Sequence, residues 1–152
     1  MKIFKPPQKV YFEHQKSVFL AGTIDNGQSV DWQTEVSRKL EDLDIVILNP
    51  RRDEWDASWE QSIANPQFRE QVEWEMDGLE LSDFILIHFA SGSKSPISLL
   101  ELGLHAKSGK MIVSCAPDFW RRGNIEVVCF RHGIPLFSEL KDAIAMLRNR
   151  LV

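Results

Sequence analysis

The order of apolar patterns along the 152 residues predicts an α/β fold, a doubly wound parallel sheet of five strands in the order 2-1-3-4-5 with helices on both sides. Three observations predict it. Short β-branched runs alternate with longer segments of helical period from end to end. The balance of 43% hydrophobic and 26% charged residues is that of a globular chain, which excludes a disordered tail, a collagen-like fibre and a disulfide scaffold. The length suits one domain over residues 1–152, ample for a buried core.

Taken in order, residues 1–16 read as a lead-in, and Val18-Phe19-Leu20-Ala21 as a buried strand ending at Gly22. The polar stretch from Gly22 to Asp31 is a loop. Trp32, Val36, Leu40 and Leu43 recur at helical spacing, and Ile45-Val46-Ile47-Leu48 is a second strand stopped by Asn49-Pro50. Residues 51–65, with Trp55 and Trp59 and no clean period, read as a long functional loop or lid, because loops of this length rarely exist only to connect. Asn65-Pro66 supplies a cap and a first-turn proline for a helix to about Leu81. Phe84 to Phe89 is the third strand, Ser95-Pro96 starts a helix ending near Gly109, Met111 to Cys115 is the fourth strand and Glu126 to Phe130 the fifth. Ser138 opens a last helix with Leu140, Ile144, Leu147 and Leu151 on one face.

Open parallel sheets bind ligands beyond the carboxyl ends of their strands, where the strand order reverses. Here that crevice lies between residues 22–31 and 90–96, both rich in small and hydroxyl residues, and the helix from Pro96 aims backbone N–H groups into it. Two acids face that way. In the helix after Pro66, a rotation of ~100° per residue gathers Phe68, Val72, Met76 and Leu79 within about 80° and puts Glu75 on their stripe. Asp77 falls opposite, with Glu70, Glu73 and Glu80. In Pro96-Ile97-Ser98-Leu99-Leu100-Glu101-Leu102-Gly103-Leu104-His105-Ala106, Glu101 is the one acid of a helix apolar nearly all round, which predicts packing between layers, and His105 lies one turn on. An inward acid calls for a partner or a chemical role. For Glu75 the structural alternatives are a bond to a loop backbone or pairing with Arg51 or Arg69, and for Glu101 a salt bridge to an arginine. Two inward acids in one crevice suit glycosidic chemistry.

The net charge of −4 argues against a nucleic-acid partner. No apolar run approaches the ~18 residues of a membrane span, so no membrane partner is expected. The N-terminus lacks an apolar signal core, and Cys115 and Cys129 read as buried free thiols of a cytoplasmic protein. His14, His88, His105 and His132 fall at no ligand spacing, so neither metal nor cofactor is expected.

Phe19-Leu20-Ala21-Gly22, Val72-Glu73-Trp74-Glu75, Leu100-Glu101-Leu102-Gly103 and Arg122-Gly123-Asn124-Ile125 stand in the order, over residues 17–137, that resembles the nucleoside 2-deoxyribosyltransferase superfamily. The resemblance implies a flavodoxin-like (Rossmann-like) fold and cleavage of the N-glycosidic bond of 2′-deoxynucleosides. It implies Glu101, in the Glu-Leu-Gly motif, as the nucleophile that forms a covalent deoxyribosyl-enzyme, and an incoming nucleobase as acceptor. It implies Glu75 as the acid assisting the base, and Asn124 as a residue lent to a neighbouring subunit's site for the sugar 5′-hydroxyl, hence a homo-oligomer with shared sites. Gly22, Thr23, Asp25 and Asn26 would line the sugar and base pocket, and Trp32 and Trp55 are candidates for stacking on the base. The helix 66–81 carries a further apolar patch, Trp74 and Leu81, expected to form part of the oligomer surface. One alternative is an N-hydrolase of deoxynucleoside 5′-monophosphates, with Ser91-Gly92-Ser93-Lys94-Ser95 cradling the phosphate and Ser93 and Ser95 facing the substrate. Another is a non-catalytic nucleotide-binding module.

Overall fold

A computed structural model describes residues 1–24 and 29–152. Among the described residues six parallel strands form one sheet: β1 (Lys2–Phe4), β2 (Lys16–Gly22), β3 (Ile45–Leu48), β4 (Phe84–Phe89), β5 (Met111–Cys115) and β6 (Leu136–Phe137), in the spatial order β1-β3-β2-β4-β5-β6. Without β1 this is the predicted 2-1-3-4-5 order. The helices are α1 (Trp32–Lys39), α2 (Pro66–Leu81), α3 (Pro96–His105), α4 (Arg122–His132) and α5 (Leu140–Leu151). None is long and apolar enough to cross a membrane among the described residues.

Period-two alternation sends each strand's side chains to two separate cores. Val18 and Leu20 of β2, Ile45 and Ile47 of β3, and Leu86 and Ile112 pack with Val36 of α1 and Ala143, Ile144 and Leu147 of α5. Phe19 and Ala21, Val46 and Leu48, Ile85 and Ile87 pack on the opposite face with Leu79 of α2, Leu102 of α3 and Ile125 and Cys129 of α4. Gly78 lets α2 sit directly on β2, since a Cβ there would lie 2.8 Å from the Phe19 ring. Asn65 caps α2, its side chain accepting from the Phe68 N–H, with Pro66 in the first turn as expected.

Four expectations are corrected. The sheet has a sixth strand beyond the five expected: within the lead-in Lys2–Phe4 pairs with β3, and the Asn49 N–H donates to the Phe4 carbonyl at 2.9 Å, covering an edge that would otherwise be unpaired. The run Glu126–Phe130 is not a strand but the middle of α4. Ile125 and Cys129, one turn apart, are buried there, while Phe130 is 91% exposed, and Gly133 ends the helix with φ 66°. The edge strand is the two-residue β6 instead. Helix α3 is not packed between layers, because Ile97, Leu100 and Leu104 are each about 60% exposed. Trp74 is not free for a neighbouring copy: it packs on Phe19 at 6.1 Å and donates its indole N–H to the Gln8 carbonyl at 2.8 Å, so the chain's own N-terminal segment covers it. Leu81 is exposed.

Candidate active site

The sheet's strand order reverses between β2 and β4, where Gly22 is in register with His88. Gly22 takes φ 137°, and a Cβ there would lie 2.2 Å from the His88 carbonyl oxygen, so the closeness of the two strand ends requires glycine. The chain then turns at Thr23, whose N–H donates to the His88 carbonyl at 2.9 Å. The Thr23 hydroxyl sits 2.7 Å from that of Ser95 and 2.9 Å from that of Ser93, and accepts from the Ala90 N–H. Buried hydroxyls therefore staple the two loops of the crevice together. Ser95 holds φ 44° as the cap of α3, a left-handed conformation costly for a residue with a Cβ.

Beside this staple lies a cavity of about 550 Å³ between the strand ends, α2, α3 and the 51–65 loop, with Gly22, Arg52, Trp55, Glu75, Ser95 and Glu101 in its wall. Glu101 is 9% exposed and has no hydrogen-bond or ion-pair partner among the described residues. Glu75 is half-buried and accepts one hydrogen bond at 3.0 Å, from Gln71. Neither pairs with an arginine: Arg69 binds Glu73, and Arg51 donates to the Ser29 carbonyl. Burial pushes Glu75 up to about 7 against the pull of the Gln71 bond. Burial pushes Glu101 up to about 8, with the charge of Glu75 as a second cause. Two carboxyls that interact in this way share protons near neutrality, and the state with one proton offers an acid and a carboxylate in the same cavity.

The rotation argument on α2 is right about Glu75 and about the outward Glu70, Glu73, Asp77 and Glu80. It is wrong about Met76, which is 53% exposed. The inward stripe runs through Gln71, Glu75, Gly78 and Leu79, a slight rotation from the expected one. Trp55 lines the cavity and meets Trp59 edge-on at 5.2 Å. Trp32 does not: it is buried, donates its indole N–H to the Thr23 carbonyl at 2.9 Å and lies edge-on to His88, holding the turn from beneath. Thr23 and Ser93 serve the staple, whereas Ser95 also reaches the cavity wall. Asp25 and Asn26 lie outside the described residues. His105 is not part of the cavity wall. Asn124 is not in the wall of this cavity and borders a separate hollow of about 340 Å³ between α3 and α4, with Leu99 and Arg121.

The 51–65 segment forms neither helix nor strand and puts Arg52, Trp55 and Gln61 into the cavity wall. The Arg52 guanidinium lies over the Trp59 ring at 5.0 Å and bonds Glu70 at 3.2 Å, which ties the loop to α2. Sequence reasoning missed Arg52, Gln61 and Gln71. For Gln71 a signal existed, its place one turn before Glu75; nothing in an aperiodic loop singles out the other two.

A family model described as "Nucleoside 2-deoxyribosyltransferase like" matches residues 15–119. The chain belongs to this nucleoside 2-deoxyribosyltransferase-like family. The matched span holds Glu75, Glu101 and the whole 51–65 loop, and ends before Asn124. No curated protein matches the chain. It is similar in fold to a conserved protein from Enterococcus faecalis V583 known from a crystal structure, at TM-score 0.61 and 11% identity over 90% of this chain and 99% of that one. Within the nucleoside 2-deoxyribosyltransferase-like fold of this chain, the acids of α2 and α3 converge while α4 turns Asn124 outward.

Proposed function

We propose that the protein cleaves the N-glycosidic bond of 2′-deoxynucleosides and transfers the deoxyribosyl group to another nucleobase through a glutamyl-sugar intermediate. The observation that carries this reading is the convergence of Glu101 and Glu75 on one cavity, with no countercharge on Glu101. Glu101 attacks C1′ as the carboxylate, and the C1′–N bond breaks with its electron pair on the base, which takes a proton from Glu75. The acceptor base then attacks C1′, passes its N–H proton to Glu75, and the C1′–O bond to Glu101 breaks to restore the carboxylate. Positive charge developing at the anomeric carbon favours the ionised form of Glu101 and leaves the pair's proton with Glu75. A cavity of about 550 Å³ suits a nucleoside, and Trp55 in its wall offers a face for the base.

A homo-oligomer is favoured by the exposed apolar side chains Val127 and Phe130 of α4. Asn124, exposed on the same helix, would reach a neighbour's sugar from there. This replaces the Trp74 surface. A free nucleoside is preferred over its monophosphate because Lys94 is drawn over the Trp120 ring at 5.3 Å and Ser93 and Ser95 bond each other at 3.0 Å.

The test is chromatography of base release from deoxynucleosides and their monophosphates, with and without a second free base, beside Glu101→Ala. A swapped nucleoside that disappears in the variant supports transfer. Free base alone, above all from a monophosphate, replaces it with hydrolysis, and binding without any turnover replaces it with a binding module.

A further inference from the structure

Gln71 and Glu75 stand one turn apart on α2 and share the cavity wall. Gln71 Nε2 lies 3.0 Å from the carbonyl oxygen of Pro50, just beyond β3, and 3.0 Å from Glu75 Oε1. A carbonyl oxygen only accepts, so the Gln71 group facing Pro50 is the NH₂ and not the amide oxygen. Both hydrogens are then committed, one to Pro50 and one to Glu75. Glu75 Oε1 is an acceptor in either protonation state, and a proton on Glu75 belongs on Oε2.

We infer that Gln71 is a positioning residue for Glu75: its amide, turned by the Pro50 carbonyl, reserves Oε1 as an acceptor and leaves Oε2 as the oxygen that holds and delivers the proton. This rests on the reading of Glu75 as the acid of the reaction. A packing role alone does not account for the residue. Gln71 is buried and its Oε1 has no partner, a desolvation cost that a leucine of similar size would not carry. Among the described residues, the other ionisable groups bordering the cavity are Glu101 from α3, which raises the proton affinity of the pair, and Arg52 from the 51–65 loop, which is bonded to Glu70. The strand ends contribute Gly22 and Pro50, which do not titrate.

The test needs no substrate. The side-chain carboxyl carbon of Glu75 is titrated by NMR in the wild type and in Gln71→Leu, with Glu75→Gln for assignment. A hydrogen bond to the ionised form lowers a carboxyl's pKa, so its loss should raise the midpoint by about one pH unit, a tenfold gain in proton affinity. In the wild type, the side-chain amide resonances of Gln71 should move with the same midpoint, a readout that stands even where Gln71→Leu fails to fold. An unchanged midpoint in a folded Gln71→Leu, or a Gln71 amide indifferent to Glu75, overturns the inference. The alkaline limb of kcat/KM on a deoxynucleoside should shift upward with the midpoint. A titration shift with no turnover of any nucleoside overturns the enzymatic reading and leaves the Gln71–Glu75 coupling standing, and turnover with no shift does the reverse.

Discussion

Helices α1 and α5 bury Val36, Ala143, Ile144 and Leu147 against one face of the sheet, while on the other face α3 buries Ser98 and Glu101 and leaves Ile97, Leu100 and Leu104 about 60% exposed, the first two in the cavity wall. The first layer follows the ordinary rule that apolar area removed from water stabilises the fold. The second buries Leu79 and Leu102 by the same rule and departs from it beside the cavity. An unpaired acid turned inward there destabilises, and the exposed parts of three apolar side chains add little to the protomer. The difference teaches where chemistry is added to stability: both layers bury an apolar core, and the α2/α3 layer in addition carries groups that the fold alone would not choose.

The largest effect that sharpens this contrast is on turnover. Glu101→Gln should lower base exchange by at least ~10³-fold, about 4 kcal/mol of transition-state stabilisation, since the amide is no nucleophile. Chromatographic assay of exchange checks it, and an active variant would remove Glu101 from the reaction. On the opposite layer, Leu147→Ala should cost about 3 kcal/mol in urea unfolding through the cavity it leaves, with turnover per folded molecule unchanged. Loss of activity without loss of stability there would break the division of labour.

The next effect is on pH. Glu75 and Glu101 ionise at about 7 and about 8 in the folded protein against 4.5 for a free glutamate. Between those values the folded state binds more protons than the unfolded one, so stability falls as pH rises from about 4.5 to about 8. Glu101→Gln removes part of that slope. It should match the wild type near pH 4 and exceed it by about 2 kcal/mol at pH 8, read from urea midpoints at the two pH values. A variant less stable than the wild type at pH 8 would mean that Glu101 has a partner that holds it ionised. The smallest effect belongs to the exposed stripe. Phe130→Asp should change protomer stability by no more than ~0.5 kcal/mol but shift sedimentation to a smaller species. An unchanged sedimentation coefficient would leave α4 without a partner copy.

The fold was legible because the strands are short β-branched runs between helical periods, and the 2-1-3-4-5 order holds among them. It failed at residues 126–130, where Val127-Val128-Cys129 reads as a strand by composition. Those residues are helical because Ile125 and Cys129 reach the core from one side of α4 and Gly133 closes it. At the site, Glu75 was legible because α2 has an apolar stripe that fixes its inward side. Glu101 was legible as an isolated acid in an apolar helix, but the way α3 turns was not.

The sequence by itself determined the class of fold, the elements of four of the strands, the caps at Asn65-Pro66, and which residues of each helix share a face, because these depend on local sterics and periodicity. Only the tertiary structure decided which face of α3 looks inward, that Trp32 lies beneath the crevice instead of in it, and that the Pro50 carbonyl turns Gln71 toward Glu75. Each of those depends on contacts between segments distant in the chain, and a helix that is apolar nearly all round carries no local signal of which way it will turn.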